Sequence, residues 1–249
     1  MSKQLFSGSL EDVAKTENRP IRERIEAGVG DAALIALRLD LARFAAETLG
    51  KCGQELHLMG HIVGPDRKAG LSPFKHGSDE AVAVSTLLRI ASQLVSASAD
   101  LFHDGRCYAA AALLRQIVEI EYLAWAFETR NGDGERWLRS NKQQRKQIFT
   151  PRNLRNASDG KFRDQDYDYH CEFGGHPVPA SGLLLAGGPE VSQLLMSDLL
   201  GHVGRIWDHF VEWARENSHG TPLLDRAGGM SGRSAVWKQA DPLTNLPPP

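Results

Sequence analysis

Residues 107–128, CYAAAALLRQIVEIEYLAWAFE, decide the fold. Wound at 3.6 residues per turn, the stretch is apolar on almost every face, where a surface helix would show a polar stripe. Such a helix must be covered on most sides, which predicts the most buried element of a helical domain. Gly105 ahead of it and Gly132 and Gly134 behind it mark its ends.

The neighbours on both sides are helical too. Upstream, Ser78 opens a helix with Asp79 and Glu80 in its first turn, where the helix dipole favours acids, and the run continues to about His103. Before that, Asp31 is the N-cap of DAALIALRLDLARFAAETL, which puts Leu34, Leu37, Leu41 and Ala45 on one face and Asp40, Arg43 and Glu47 on the other. This helix runs on until Gly64-Pro65 stops it, and PDRKAGLSPFKHGS reads as a linker. Downstream, ERWLRSNKQQRKQIF is a more polar helix, and Thr150-Pro151 is the N-cap and first position of a short one. The last long helix is PEVSQLLMSDLLGHVGRIWDHFVEWARE, with Leu195, Leu199, Val203, Ile206 and Phe210 on its inner stripe. With no alternating β pattern and no internal repeat, the chain reads as all-α, an antiparallel bundle of about four long helices plus short ones. Residues 1–30 form a polar segment with at most a short helix at 21–26, and 31–218 form the single bundle domain. Residues 219–249, rich in Gly, Pro and Ser, read as a disordered tail in which Trp237 is the residue able to dock.

The totals narrow the class of function. In 249 residues, 41% hydrophobic and 24% charged with a net charge of −2, there is material for a substantial core and no polycationic signature. Cys52, Cys107 and Cys171 lie far apart with no CxxC spacing, so neither a disulfide framework nor a zinc ribbon is expected. The N-terminal MSKQLFSGSLEDVAK lacks a signal-peptide apolar run, and no stretch reaches the roughly 20 apolar residues that span a bilayer. A cytoplasmic protein with no membrane partner is the expectation.

Four groups of residues carry potential chemistry. Arg115 and Glu119, four apart on the most apolar helix, share a stripe with Tyr108 and Tyr122 and predict either a water-facing edge or a polar seam inside the bundle. His57 and His61 have the spacing of two metal ligands, but no HExxH and no third ligand accompany them, and packing histidines are expected. Asp198, His202, Arg205, His209 and Glu212 share one face of the last helix and read as a solvated face. Residues 130–163 hold ten cations, among them Arg136, Arg139, Lys142, Arg145, Lys146, Arg152 and Arg155, against three acids, with Trp137, Phe149 and Phe162 interleaved. Such a segment can supply phosphate contacts to a nucleic acid, or form a solvated face balanced by Asp164, Asp166 and Asp168. We expect no cofactor and no metal.

The stretch YDYHCEFGGHP, 167–177, gathers Tyr167, His170, Cys171, Glu172 and His176 around a Gly-Gly break. Gly174-Gly175 ends a helix, and His176 just beyond it is favoured in its charged form by the helix C-terminus. Cys171 has no assignable base and is a poor nucleophile. The combination R-x-x-x-E (Arg115, Glu119) with Y-x-x-x-C-E-x-x-x-H-P (Tyr167, Cys171, Glu172, His176, Pro177) resembles a family of bacterial helical domains related to the HEPN superfamily, over about residues 31–218. The resemblance implies a four-helix core in which the Arg, Glu and His positions meet. It also implies an RNA-directed protein, often a dimeric metal-independent endoribonuclease acting in stress or defence. The HEPN signature separates a phosphate-steadying Arg from a following, proton-transferring His by four to six intervening residues. The one such pair here is Arg163 and His170, with Asp164 where the family carries a neutral polar residue. Read without the resemblance, the same residues make a non-catalytic scaffold or binding module in which Arg115, Glu119, Tyr167 and His176 fix helix register.

Overall fold

The computed structural model describes residues 19–62 and 77–245, and every element among them is helical. Helix α1, Arg19–Gly30, is longer than the short segment expected there. Asp31 then caps α2, Ala32–Ile62, its carboxylate accepting the backbone N–H of Ala33 at 2.7 Å. Ser78 caps α3, Asp79–His103, by accepting from Ala81. A three-residue turn leads into α4, Cys107–Thr129. Residues 1–18 and most of the linker read at 65–78 lie outside the described residues.

Helices α2 and α3 form a close antiparallel pair. The Ser85 hydroxyl donates to the Gly53 carbonyl at 2.8 Å, Ser92 donates to Ala46, and Arg43 reaches Asp100 at the far end. Gly53 is required by that closeness, since a Cβ there would lie 2.7 Å from Cγ of Arg89 and 3.1 Å from the Ser85 carbonyl. By length and composition α3 is apolar enough to cross a membrane, which corrects the expectation that no stretch reaches that limit. Its apolarity belongs to the core: 56% of the apolar window is buried, with Val84, Leu88, Ala91 and Val95 fully so.

Helix α4 lies at the centre, packed on α3 and on the last long helix of the bundle, with Leu114, Ile117, Ala124 and Ala126 sealed from solvent. From its end the chain returns through short helices: α5 Asp133–Arg139, α6 Lys142–Ile148, α7 Pro151–Ala157 and α8 Asp164–His170. Asn141 and Gln144 make a capping box on α6, and Thr150 caps α7 with Pro151 in its first turn. Helix α8 runs on into one π-helical turn, Cys171–Gly175. A 3-10 turn and α9, Gly182–Leu185, lead to α10, Pro189–Arg215. This long return brings α10 back beside α4 in the same direction. Glu121 pairs with His202 and Glu128 with His209, so a step of seven residues on one helix matches a step of seven on the other. The α4–α10 pair is therefore parallel, in contrast to the antiparallel α2–α3 pair.

Within the tail expected to be disordered, residues 219–245 are ordered. Residues Thr221–Ala240 form α11, which packs antiparallel on α2 and α10 and is followed by a 3-10 turn, Pro242–Asn245. Trp237 is buried, and its indole N–H donates to Asp241 at 2.7 Å. Asp241 in turn accepts from both Nε and Nη2 of Arg38 on α2, at 2.6 and 2.7 Å, and both side chains are sealed from solvent. Gln193 and the Gly28 carbonyl take the remaining Arg38 donors. The residue types of α11, with Gly228, Gly229 and Gly232 in its middle, are poor helix formers, so it is this docking and not local propensity that holds it.

Candidate functional site

The stripe on α4 is a seam inside the bundle. Tyr167 of α8 donates its hydroxyl to Glu119 at 2.9 Å, while Arg115 reaches both the Tyr167 oxygen and the Glu119 carboxylate at 3.2 Å. Cys171 lies beyond, its Sγ 3.9 Å from the guanidinium. Arg155 of α7 covers the other face of the Tyr167 ring at 4.4 Å from its centroid. Burial, and then the hydrogen bond to Glu119, push the Tyr167 hydroxyl well above its ordinary value, so it stays a neutral donor. Three of the residues singled out in the sequence thus meet, and they close on one another.

The rest of that set does not join them. His176 is exposed just past the π turn, and its backbone carbonyl accepts from Ser181. Glu172 is exposed as well. Arg163 is held by both oxygens of Asp166, at 2.8 and 3.0 Å, and not by His170. The reason lies in the π turn: Gly174 presses bare backbone onto α4, where a Cβ would lie 2.3 Å from the Ala111 carbonyl. That contact fixes the chain so that His170 turns inward while His176 passes outside. A four-member network including His176 is therefore corrected to Arg115, Glu119 and Tyr167.

His170 belongs to a second centre, on the parallel seam between α4 and α10. Its Nε2 lies 3.2 Å from Nε2 of His202, and Asp198 stands one turn before His202 with its two oxygens 3.6 Å from His170 and 3.5 Å from His202. Behind His202, Glu121 takes Nδ1 at 2.5 Å, and its other oxygen accepts Nε of Arg205 at 2.8 Å. Two acceptors would not approach to 2.5 Å, so Nδ1 carries a proton, and Nε2 faces His170. Burial would raise the Glu121 carboxyl, but the His202 ring and the Arg205 guanidinium overcome it and hold it down at about 2. Burial lowers His170 to about 4 against the pull of Asp198, so its ring is neutral at pH 7. Glu121, His170 and His202 are buried, whereas Asp198 and Arg205 are 36% and 49% exposed and form the mouth.

Seven residues further along both helices the pairing repeats: Glu128 holds Nδ1 of His209, and Lys161 stands 3.3 Å from the other ring nitrogen. The face of α10 read as solvated is thus a buried interface at His202 and His209. The available sequence signal was the matched spacing of seven in Glu121/Glu128 and His202/His209.

The cationic segment spends most of its charge internally. Arg139 reaches Asp79 and Glu135, Arg136 and Arg130 reach Asp133, and Arg155 reaches Asp164. Arg145 donates to the Ser140 carbonyl. Lys142, Lys146 and Arg152 on α6 and α7 are exposed and, among the described residues, make no ion pair. His57 and His61 meet edge to face, with ring centroids 4.5 Å apart; among the described residues only His170, Asp198 and His202 form a group with metal-ligand geometry. Comparison with protein-family models, with curated proteins and with solved structures finds no match to this chain.

Proposed function

We propose that this chain is an RNA-directed helical protein whose working centre is the His170–Asp198–His202 cluster, with Arg205 at its mouth and Lys142, Lys146 and Arg152 as docking cations. The observation that carries the reading is the imidazole of His202, locked by Glu121, whose Nε2 faces a second imidazole beside a half-exposed guanidinium. Cleavage of a phosphodiester needs an activated oxygen nucleophile and a cation where charge develops on the phosphate. The ribose 2′-hydroxyl is the nucleophile, His202 takes its proton as the 5′-oxygen leaves, and Arg205 is the cation. The resemblance to HEPN-related domains points to the same substrate class, with His202 and Arg205 in place of the Arg163–His170 pair that its signature suggests.

The test uses end-labelled single-stranded and hairpin RNAs with purified protein. Cleavage should be lost in His202→Ala and retained in His176→Ala. With three cations in play, the binding constant should fall with salt at a log–log slope of about −2. A well-folded protein that neither binds nor cleaves any RNA overturns the reading.

A second reading applies to the other seam. The Arg115–Glu119–Tyr167 network is satisfied within itself, which favours a structural role in fixing α8 against α4.

A further inference from the structure

The His170–Asp198–His202 geometry points to a binding site for a zinc-class divalent cation, and we propose that this cluster holds one. The inference deepens the functional reading by naming a cofactor for the same centre: with His202 Nε2 ligating, the ion in place of the free imidazole would activate the nucleophile, and the inference rests on that reading only for this use of the ion.

The distances carry the argument. Ligands at 2.0–2.2 Å around one tetrahedral ion stand about 3.3–3.6 Å apart, and at right angles on an octahedral ion about 2.8–3.1 Å apart. The three separations here are 3.2, 3.5 and 3.6 Å. They fit the tetrahedral case. They fit hydrogen bonding poorly, because 3.5–3.6 Å between nitrogen and carboxylate oxygen is too long for a sound N–H···O bond. The two longer separations run to different oxygens of Asp198, so the carboxylate spans both rings and faces the space between their Nε2 atoms, where an ion would meet all three residues. All ligand atoms lie within 4.8 Å of one another.

The donor set and its support agree. Two imidazoles and one carboxylate suit zinc and its first-row neighbours, and three protein ligands leave a fourth position open. A ligating histidine normally donates its other N–H to a carboxylate, which fixes the tautomer and aims the lone pair at the metal. Glu121 does this to His202. Arg205 lies close, its Nη2 2.8 Å from His202 Nδ1, but its charge is met by the same Glu121. Asp198, the exposed ligand, gives the ion a way in.

The full chain, stripped with chelator and dialysed, would be titrated with Zn2+ and separately with Co2+. Bound metal is counted by mass spectrometry, and the Co2+ form is read by its visible absorption. We expect one ion per chain with the strong absorption of tetrahedral Co2+, lost in His202→Ala and His170→Ala and retained in His57→Ala. Glu121→Gln should weaken binding by about 10–100-fold, as loss of a supporting carboxylate does. Since buried histidines can be needed for folding, Asp198→Asn is the decisive variant: its side chain is partly exposed, its circular dichroism should match the parent, and its affinity should still fall at least tenfold. No retained metal in folded parent protein overturns the inference, as does metal binding that survives Asp198→Asn undiminished or is lost in His57→Ala. Because the readout is metal and not RNA, the two proposals fail separately. A loaded ion without RNA cleavage sinks the functional reading alone, and cleavage in chelator by metal-free protein sinks this one alone.

Discussion

Tyr167 and His176 stand nine residues apart and in different surroundings, one closed in a network and the other open to water. Tyr167→Phe removes the hydroxyl that joins Glu119 to Arg115 and leaves a partly buried carboxylate short of a donor. We expect it to lower stability by about 1–3 kcal/mol in urea denaturation, the cost of such an orphaned group. His176→Ala should stay within about 0.5 kcal/mol, as an exposed substitution does. The contrast shows which site residues could be read from the sequence. Arg115 and Glu119 stand out as charges on an almost wholly apolar helix, which left two readings, a water-facing edge or a seam with a partner. His202 sits on a helix that does have a polar face, and nothing local distinguishes a buried histidine from a wet one there. Its partner, Glu121, is 81 positions earlier. His170 was legible as a candidate but not in its role, because the inward turn depends on Gly174 packing against α4.

At the scale of the helix, α2, α3, α4 and α10 were all legible, since each combines a cap or turn signal with an apolar face several turns long. Helix α11 was not, because its glycines and scattered apolar residues resemble a linker and its stability comes from Trp237 and Asp241 finding their sites. The direction of α10 was equally illegible: periodicity says which face of a helix is buried, and says nothing of whether its neighbour runs with it or against it. Removing 219–249 takes away Asp241 and leaves Arg38 as a buried cation without its carboxylate. Breaking a buried pair in this way costs about 3–5 kcal/mol. The shortened chain should therefore show a much lower urea midpoint and a loosened α2, the latter seen as faster amide exchange around Arg38.

Across the whole molecule the clasp between Arg38 and Asp241 makes stability sensitive to acid. Burial raises the Asp241 carboxyl, but Arg38, the Leu243 N–H and the Trp237 indole overcome it, and its pKa lies below the ordinary value. A carboxyl lowered by folding contributes stability that is complete above its unfolded pKa, about 3.9, and is lost as pH falls through the folded value. The urea midpoint should thus fall as pH drops below about 4, and in Asp241→Asn that part of the fall should be absent. The same clasp sets an order on the making of the protein. A ribosome releases Arg38 some two hundred residues before it releases Asp241. Throughout that interval a newly made α2 has no way to bury its arginine in neutralised form, and the groove that will take α11 stays open. The docking of Asp241 is thus the step at which α2 becomes settled, so synthesis that stops before it yields a chain marked by its own unmatched charge.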